Sequence, residues 1–127
     1  MSLASGAIAS RNEEITADFL RLVDQHIEDL IHGRIDRRYT ANDFAKLLFI
    51  HSRHLTNTVK RTTGRSPCDF MEERFLSEAQ KMLKETTLSI ADIGGKFGWN
   101  DPSNFTKFFK NMSGVTPFQY RKDSTKA

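Results

Sequence analysis

The chain has 127 residues, 38% of them hydrophobic, which is enough for one domain or two very small ones around a core of modest size. It has no apolar run of membrane length and no secretory h-region, so no membrane partner is expected. Cys68 is the single cysteine, which excludes an intrachain disulfide and makes a reducing cytoplasm the natural setting. The net charge of +3 is uneven: residues 1–39 carry −2 and residues 40–127 carry +5, so a polyanionic partner is expected for the second part.

Residues 1–9 are small and weakly polar, without periodicity, and read as a disordered lead-in, or, for Met-Ser-Leu, as vector-derived residues. Ser10 and Glu13 have capping-box spacing. Ile15, Phe19, Leu22, Val23, Ile27, Leu30 and Ile31 then form a broad helical stripe, closed by Gly33. A polar basic connector follows. Thr40 and Asp43 form another box, ahead of a short helix carrying Phe44, Ala45 and Leu48. Phe49-Ile50-His51 forms a turn, and Ser52 is expected to cap a helix that carries Leu55 and Val59 and ends at Gly64. Ser66, Pro67 and Asp69 start a longer helix with the stripe Phe70, Met71, Phe75, Ala79, Met82 and Leu83.

Residues 88–121 repeat the scheme. Ser89 and Asp92 mark a cap; Ile90, Ile93 and Phe97 mark one face; Gly98 and Asn100 punctuate. Asp101 can cap a further helix with Pro102 at its first position, Phe105, Phe108, Phe109 and Met112 as its core, and Gly114 at its end. Thr40, Asp43, Phe44 and Leu48 match Ser89, Asp92, Ile93 and Phe97 at an offset of 49, whereas Leu55, Lys60, Gly64, Pro67 and Phe70 match Phe105, Lys110, Gly114, Pro117 and Tyr120 at an offset of 50. Both copies therefore read as two helices joined by a tight turn, the second turn one residue longer. Such a helix-turn-helix can place its second helix in a DNA major groove.

The run Ile90-Ala91-Asp92-Ile93, Phe97-Gly98-Trp99, Asp101-Pro102-Ser103-Asn104-Phe105, Phe109-Lys110, Gly114 and Thr116-Pro117-Phe118-Gln119-Tyr120-Arg121 resembles the signature of AraC/XylS-type bacterial transcription regulators. The resemblance covers residues 40–121 and implies an all-α fold of about seven helices, with two helix-turn-helix subdomains joined by a long linker helix. The expected division is a lead-in at 1–9, a first helix and first helix-turn-helix at 10–65, the linker helix at 66–87, the second helix-turn-helix and a closing helix at 88–122, and a tail at 123–127. It also implies double-stranded DNA as partner, RNA polymerase as a second one, and an upstream sensing or dimerising domain if the chain is a fragment. The sequence departs from the family pattern at Phe49, where the turn often has glycine, at Asn57, where arginine is frequent, and at Gly94-Gly95, which replace better helix formers.

With Leu55 and Val59 facing inward, Arg53, Thr56, Asn57 and Lys60 fall on the opposite side of their helix. Arg53 suits guanine and Asn57 suits adenine, while His54 reaches a base or a phosphate. In the second copy Ser103, Asn104, Thr106, Lys107 and Lys110 remain outside the apolar face. The base-reading candidates are thus Arg53, His54, Thr56, Asn57, Ser103, Asn104, Thr106 and Lys107; by the resemblance, the matching family positions read bases chiefly at Arg53, Thr56, Asn57, Ser103, Asn104 and Lys107. Ser52, Lys60, Arg61, Arg65, Lys110 and Arg121 are placed for phosphates. His51 and His54 lack the further ligands a zinc site needs, Gly94-Gly95-Lys96 lacks the phosphate-loop frame, and nothing supports an enzyme or a cofactor. The rival reading is a helical protein-interaction module that keeps the fold without reading DNA; Arg53, Lys60, Arg61, Lys107 and Lys110 favour DNA.

Overall fold

The computed structural model describes residues 3–125, with side chains described for residues 11–124. Seven helices follow one another: α1 (Leu3–Ile31), α2 (Ala41–Leu47), α3 (Ser52–Thr63), α4 (Pro67–Glu85), α5 (Ile90–Lys96), α6 (Pro102–Ser113) and α7 (Pro117–Thr125). The fold is all-α, as expected. The ends of the chain differ from expectation. α1 starts at Leu3 instead of Ser10, which lies inside the helix, because Ala4, Ala7 and Ala9 are strong helix formers. α7 continues through residues 123–125, expected as tail, while residues 1–2 and 126–127 lie outside the described residues.

The chain forms two compact units, Met1–His26 with Tyr39–Glu72, and Ile27–Arg38 with Glu73–Ala127. In the first, Ile15, Phe19 and Val23 of α1, Phe44 and Ala45 of α2, and Leu55 and Val59 of α3 are almost fully buried. Phe19 and Phe44 meet edge to face, with ring centroids 5.6 Å apart. Two polar contacts were not legible in the sequence. His26 is buried, stacks on Tyr39 at 4.2 Å and accepts the Tyr39 amide hydrogen at Nε2 over 2.9 Å. The hydroxyls of Thr16 (α1) and Thr62 (α3) are 2.7 Å apart.

The second unit is built on aromatic rings. Phe75 of α4 lies 6.0 Å from both Phe97 and Trp99; Trp99 meets Phe105 at 5.4 Å and Phe108 at 4.8 Å; Phe109 meets Tyr120 at 5.6 Å. The Arg38 guanidinium sits 3.6 Å from the Trp99 ring centroid, a cation–π contact, and partial burial holds its pKa below the ordinary arginine value. Met112, expected in this core, is 38% exposed. It sits in the last turn of α6: helical period tells which face a residue occupies, not how far the covering element extends along it.

The two glycines in α5 have different reasons. A Cβ on Gly94 would stand 2.8 Å from Cγ of the fully buried Phe105, so its absence lets α5 and α6 approach. The first copy has Ala45 and Leu55 at the matching positions, an exchange of volume between the two sites. A Cβ on Gly95 would meet nothing within 4 Å. Gly95→Ala should therefore stabilise by up to about 1 kcal/mol through helix propensity. Gly94→Ala should lose that gain to overpacking of about 1–3 kcal/mol. Urea denaturation of the two variants should move the midpoint in opposite directions; a higher midpoint for both would show that Phe105 yields.

Candidate nucleic-acid interface

Both helix pairs are built by the same local hydrogen bonds. In the first, Thr40 caps α2 reciprocally: its amide donates to Asp43 Oδ2 at 2.8 Å and its Oγ1 accepts from the Asp43 amide at 3.3 Å. In the second, Ser89 Oγ accepts from the Asp92 amide at 3.0 Å. The turns repeat the same bond and backbone pattern. The Ile50 amide donates to the Ala45 carbonyl at 3.1 Å, and 49 residues on, the Trp99 amide donates to the Gly94 carbonyl at 3.0 Å. Phe49 and Gly98, one residue earlier, share a left-handed backbone with φ of 59° and 88°.

After the turn the register shifts by the extra residue. The N-cap of α6 is Asp101, whose Oδ1 accepts from the Ser103 amide at 2.9 Å, with Pro102 following as expected. The N-cap of α3 is His51 and not Ser52: its Nδ1 accepts from the Arg53 amide at 3.1 Å, and Ser52 is the first helical residue. An unprotonated imidazole nitrogen is a competent acceptor, so it fills the role of the carboxylate. The offset of 50 already aligns His51 with Asp101, and this was the available signal. Both second helices close on a left-handed glycine, Gly64 and Gly114, whose amides donate to Lys60 and Lys110 carbonyls at 2.8 Å each. The following caps match too: Ser66 with Asp69, and Thr116 with Gln119.

These bonds orient α3 and α6. Leu55 and Val59 of α3, like Phe105 and Phe109 of α6, are fully buried. Burying each such side chain contributes about 1.5–3 kcal/mol, which locks the opposite face outward. On that outward side Arg53, His54, Asn57, Lys60 and Arg61 are exposed in α3, and Ser103, Asn104, Lys107 and Lys110 in α6; Ser52, Thr56, Arg65 and Thr106 are half-buried. Residues 44–68 contain Lys46, Arg53, Lys60, Arg61 and Arg65 and no carboxylate. Arg61 stands in the last turn of α3, and the Arg65 guanidinium lies 4.7 Å from the Phe70 ring centroid.

Arg121, expected at a phosphate, also ties α7 to the end of α4. Its Nε donates to the Leu83 carbonyl at 3.0 Å and its Nη2 to the Thr86 carbonyl at 3.3 Å. Carbonyls at a helix C-terminus have no intrahelical partners, and the guanidinium supplies them for α4. These two bonds use two of the five N–H donors of the guanidinium.

Residues 44–123 match the family described as helix-turn-helix domain. The chain belongs to this family. Among relatives of this helix-turn-helix chain is the Msm operon regulatory protein of Streptococcus mutans, 29% identical over 114 residues, covering 90% of this chain and 41% of that protein. The chain spans 37–48% of the length of three such curated relatives. Solved structures share the fold. The C-terminal domain of AraT, a response regulator from Geobacillus stearothermophilus, matches with a TM-score of 0.75 at 23% identity, covering 86% of this chain and 84% of that one. An AraC-type regulator from Chromobacterium violaceum matches at 0.73 and 22% identity, covering 91% and 96%. The DNA-binding domain of AdpA, solved with a target DNA, matches at 0.69 and 19% identity, covering 84% and 91%. Among the described residues of this helix-turn-helix chain, no helix is long and apolar enough to cross a membrane.

Proposed function

We propose that the chain is the sequence-specific, double-stranded DNA-binding part of an AraC/XylS-type transcription regulator. The observation that carries this reading is the duplicated exposed face: two second helices, capped and closed by matching bonds, present polar and cationic side chains, the first within a span of 25 residues free of carboxylates. On this reading α3 and α6 enter successive major grooves, about 34 Å apart along one face of the duplex. Arg53, His54, Thr56 and Asn57 read bases in one groove and Ser103, Asn104, Thr106 and Lys107 in the other. Ser52, Lys60, Arg61, Arg65, Lys110 and Arg121 hold phosphates, Arg121 through the donors that its two bonds to α4 leave over. Lys46, exposed at the end of α2, joins the phosphate set. An upstream sensing or dimerising domain and RNA polymerase are the further partners this reading proposes.

Base reading and charge separate cleanly on α6. Lys107 and Lys110 are both exposed and carry the same charge, but Lys107 lies nearer the helix N-terminus, the end that contacts base edges. Lys107→Ala should relax preference at one or two positions, costing about 1–3 kcal/mol against the best site. Lys110→Ala should weaken all sequences nearly equally and lower the salt slope by about one. Asn104→Ala should act like Lys107→Ala on preference and leave the salt slope unchanged. Selection from a randomised duplex pool, then salt titration on the winners, measures all three. Should Asn104→Ala and Lys107→Ala select the parental motif, α6 does not read bases as assigned.

A further inference from the structure

Phe49 is the residue the fold does not account for. Its φ of 59° makes it the one non-glycine residue with positive φ among the described residues, and its side chain is 95% exposed. Both features oppose folding: the left-handed region crowds a Cβ against the following carbonyl, and an aromatic ring left in water gains nothing from burial. The second copy meets the same backbone demand with Gly98 at φ 88°. The turn therefore does not require a phenylalanine, and the core does not use one.

The surroundings indicate what the ring meets. Phe49 lies two residues before the His51 cap of α3 and three after the exposed Lys46, inside the carboxylate-free span 44–68; Leu47, also in that span, is 49% exposed. An apolar group in a span whose charged residues are all cationic, beside the end of the helix proposed to enter the groove, suits a polyanion that also presents carbon. Duplex DNA does so through thymine methyls and deoxyribose faces. We propose that Phe49 is a DNA-contacting residue of the first helix-turn-helix, its ring covering apolar carbon of the duplex at the edge of the groove that α3 enters. This inference rests on the DNA-binding reading above. Its signature is a conflict between stability and binding, since the residue that best suits the turn is not the one that best suits the ligand.

The test uses the whole chain and the duplex it selects from a randomised pool, once with thymine and once with uracil throughout. Phe49→Gly should melt no lower than the parent, bind that duplex about tenfold more weakly, and keep the parental salt slope, because no charge is removed. Phe118→Ala removes another exposed aromatic, 65% exposed on α7, and should bind as the parent does. If uracil weakens the parent but not Phe49→Gly, the ring meets a thymine methyl; if it affects both alike while the tenfold difference persists, the ring meets deoxyribose. Parental affinity in Phe49→Gly overturns the inference and leaves the DNA reading standing, as would be found if the ring serves a protein partner. A lower melting point for Phe49→Gly, or an equal loss in Phe118→Ala, also overturns it. A parent that binds no duplex overturns both readings together.

Discussion

Raising the salt from about 50 to 200 mM should weaken duplex binding about a thousandfold, through a slope of log K against log salt near −5. The slope follows from the number of cations placed to meet phosphates. Lys46, Lys60, Arg61, Arg65, Lys110 and Arg121 make six, and each phosphate neutralised contributes about −0.9 to the slope. Titration of a fluorescent duplex of random sequence measures the slope directly. A slope near zero, or no binding at the lower salt, would favour the reading as a protein-interaction module that has kept the fold alone.

Ala79→Pro should destabilise the chain by about 3 kcal/mol or more. Ala79 is fully buried in the interior of α4, between Phe75 and Leu83 on the same buried face. Proline there removes a backbone donor and drives its ring against the preceding turn. In a chain of this size the loss lowers the melting temperature by about 10 °C or more. Ala79→Gly is the control: it keeps the donor and should cost about 2 kcal/mol, from helix propensity and the lost buried methyl. Chemical denaturation followed by circular dichroism distinguishes the two. On the proposed function, Ala79→Pro should also weaken duplex binding more than Ala79→Gly does, since α4 joins the two readers in sequence. Equal stability of the two variants would show that the helix tolerates a break at this point.

The sequence by itself determined where most helices begin and end and that the pattern occurs twice. Thr40 with Asp43, Ser89 with Asp92, Asp101 before Pro102, and the glycines at 64 and 114 all act through bonds spanning two to four residues. Interactions that short are written in the local chain, so spacing reveals them. The exposed candidates on α3 and α6 were legible for a related reason: a helix with a fully apolar stripe must turn its remaining residues outward.

Only the tertiary structure decided the rest. That Arg121 would serve α4 depends on carbonyls 35 and 38 residues earlier in the chain, which no local pattern encodes. Gly94 reads as a weak point in its helix, but Phe105 Cγ stands only 2.8 Å from where its Cβ would be. Met112 and Phe108 share a periodicity with Phe105 and Phe109, yet only the latter two are fully buried. The exposure of Phe49 could not be read from its identity, since a phenylalanine beside an apolar helix is expected to pack. Burial depends on which surfaces meet after the chain has folded, and periodicity constrains only the direction in which each residue points.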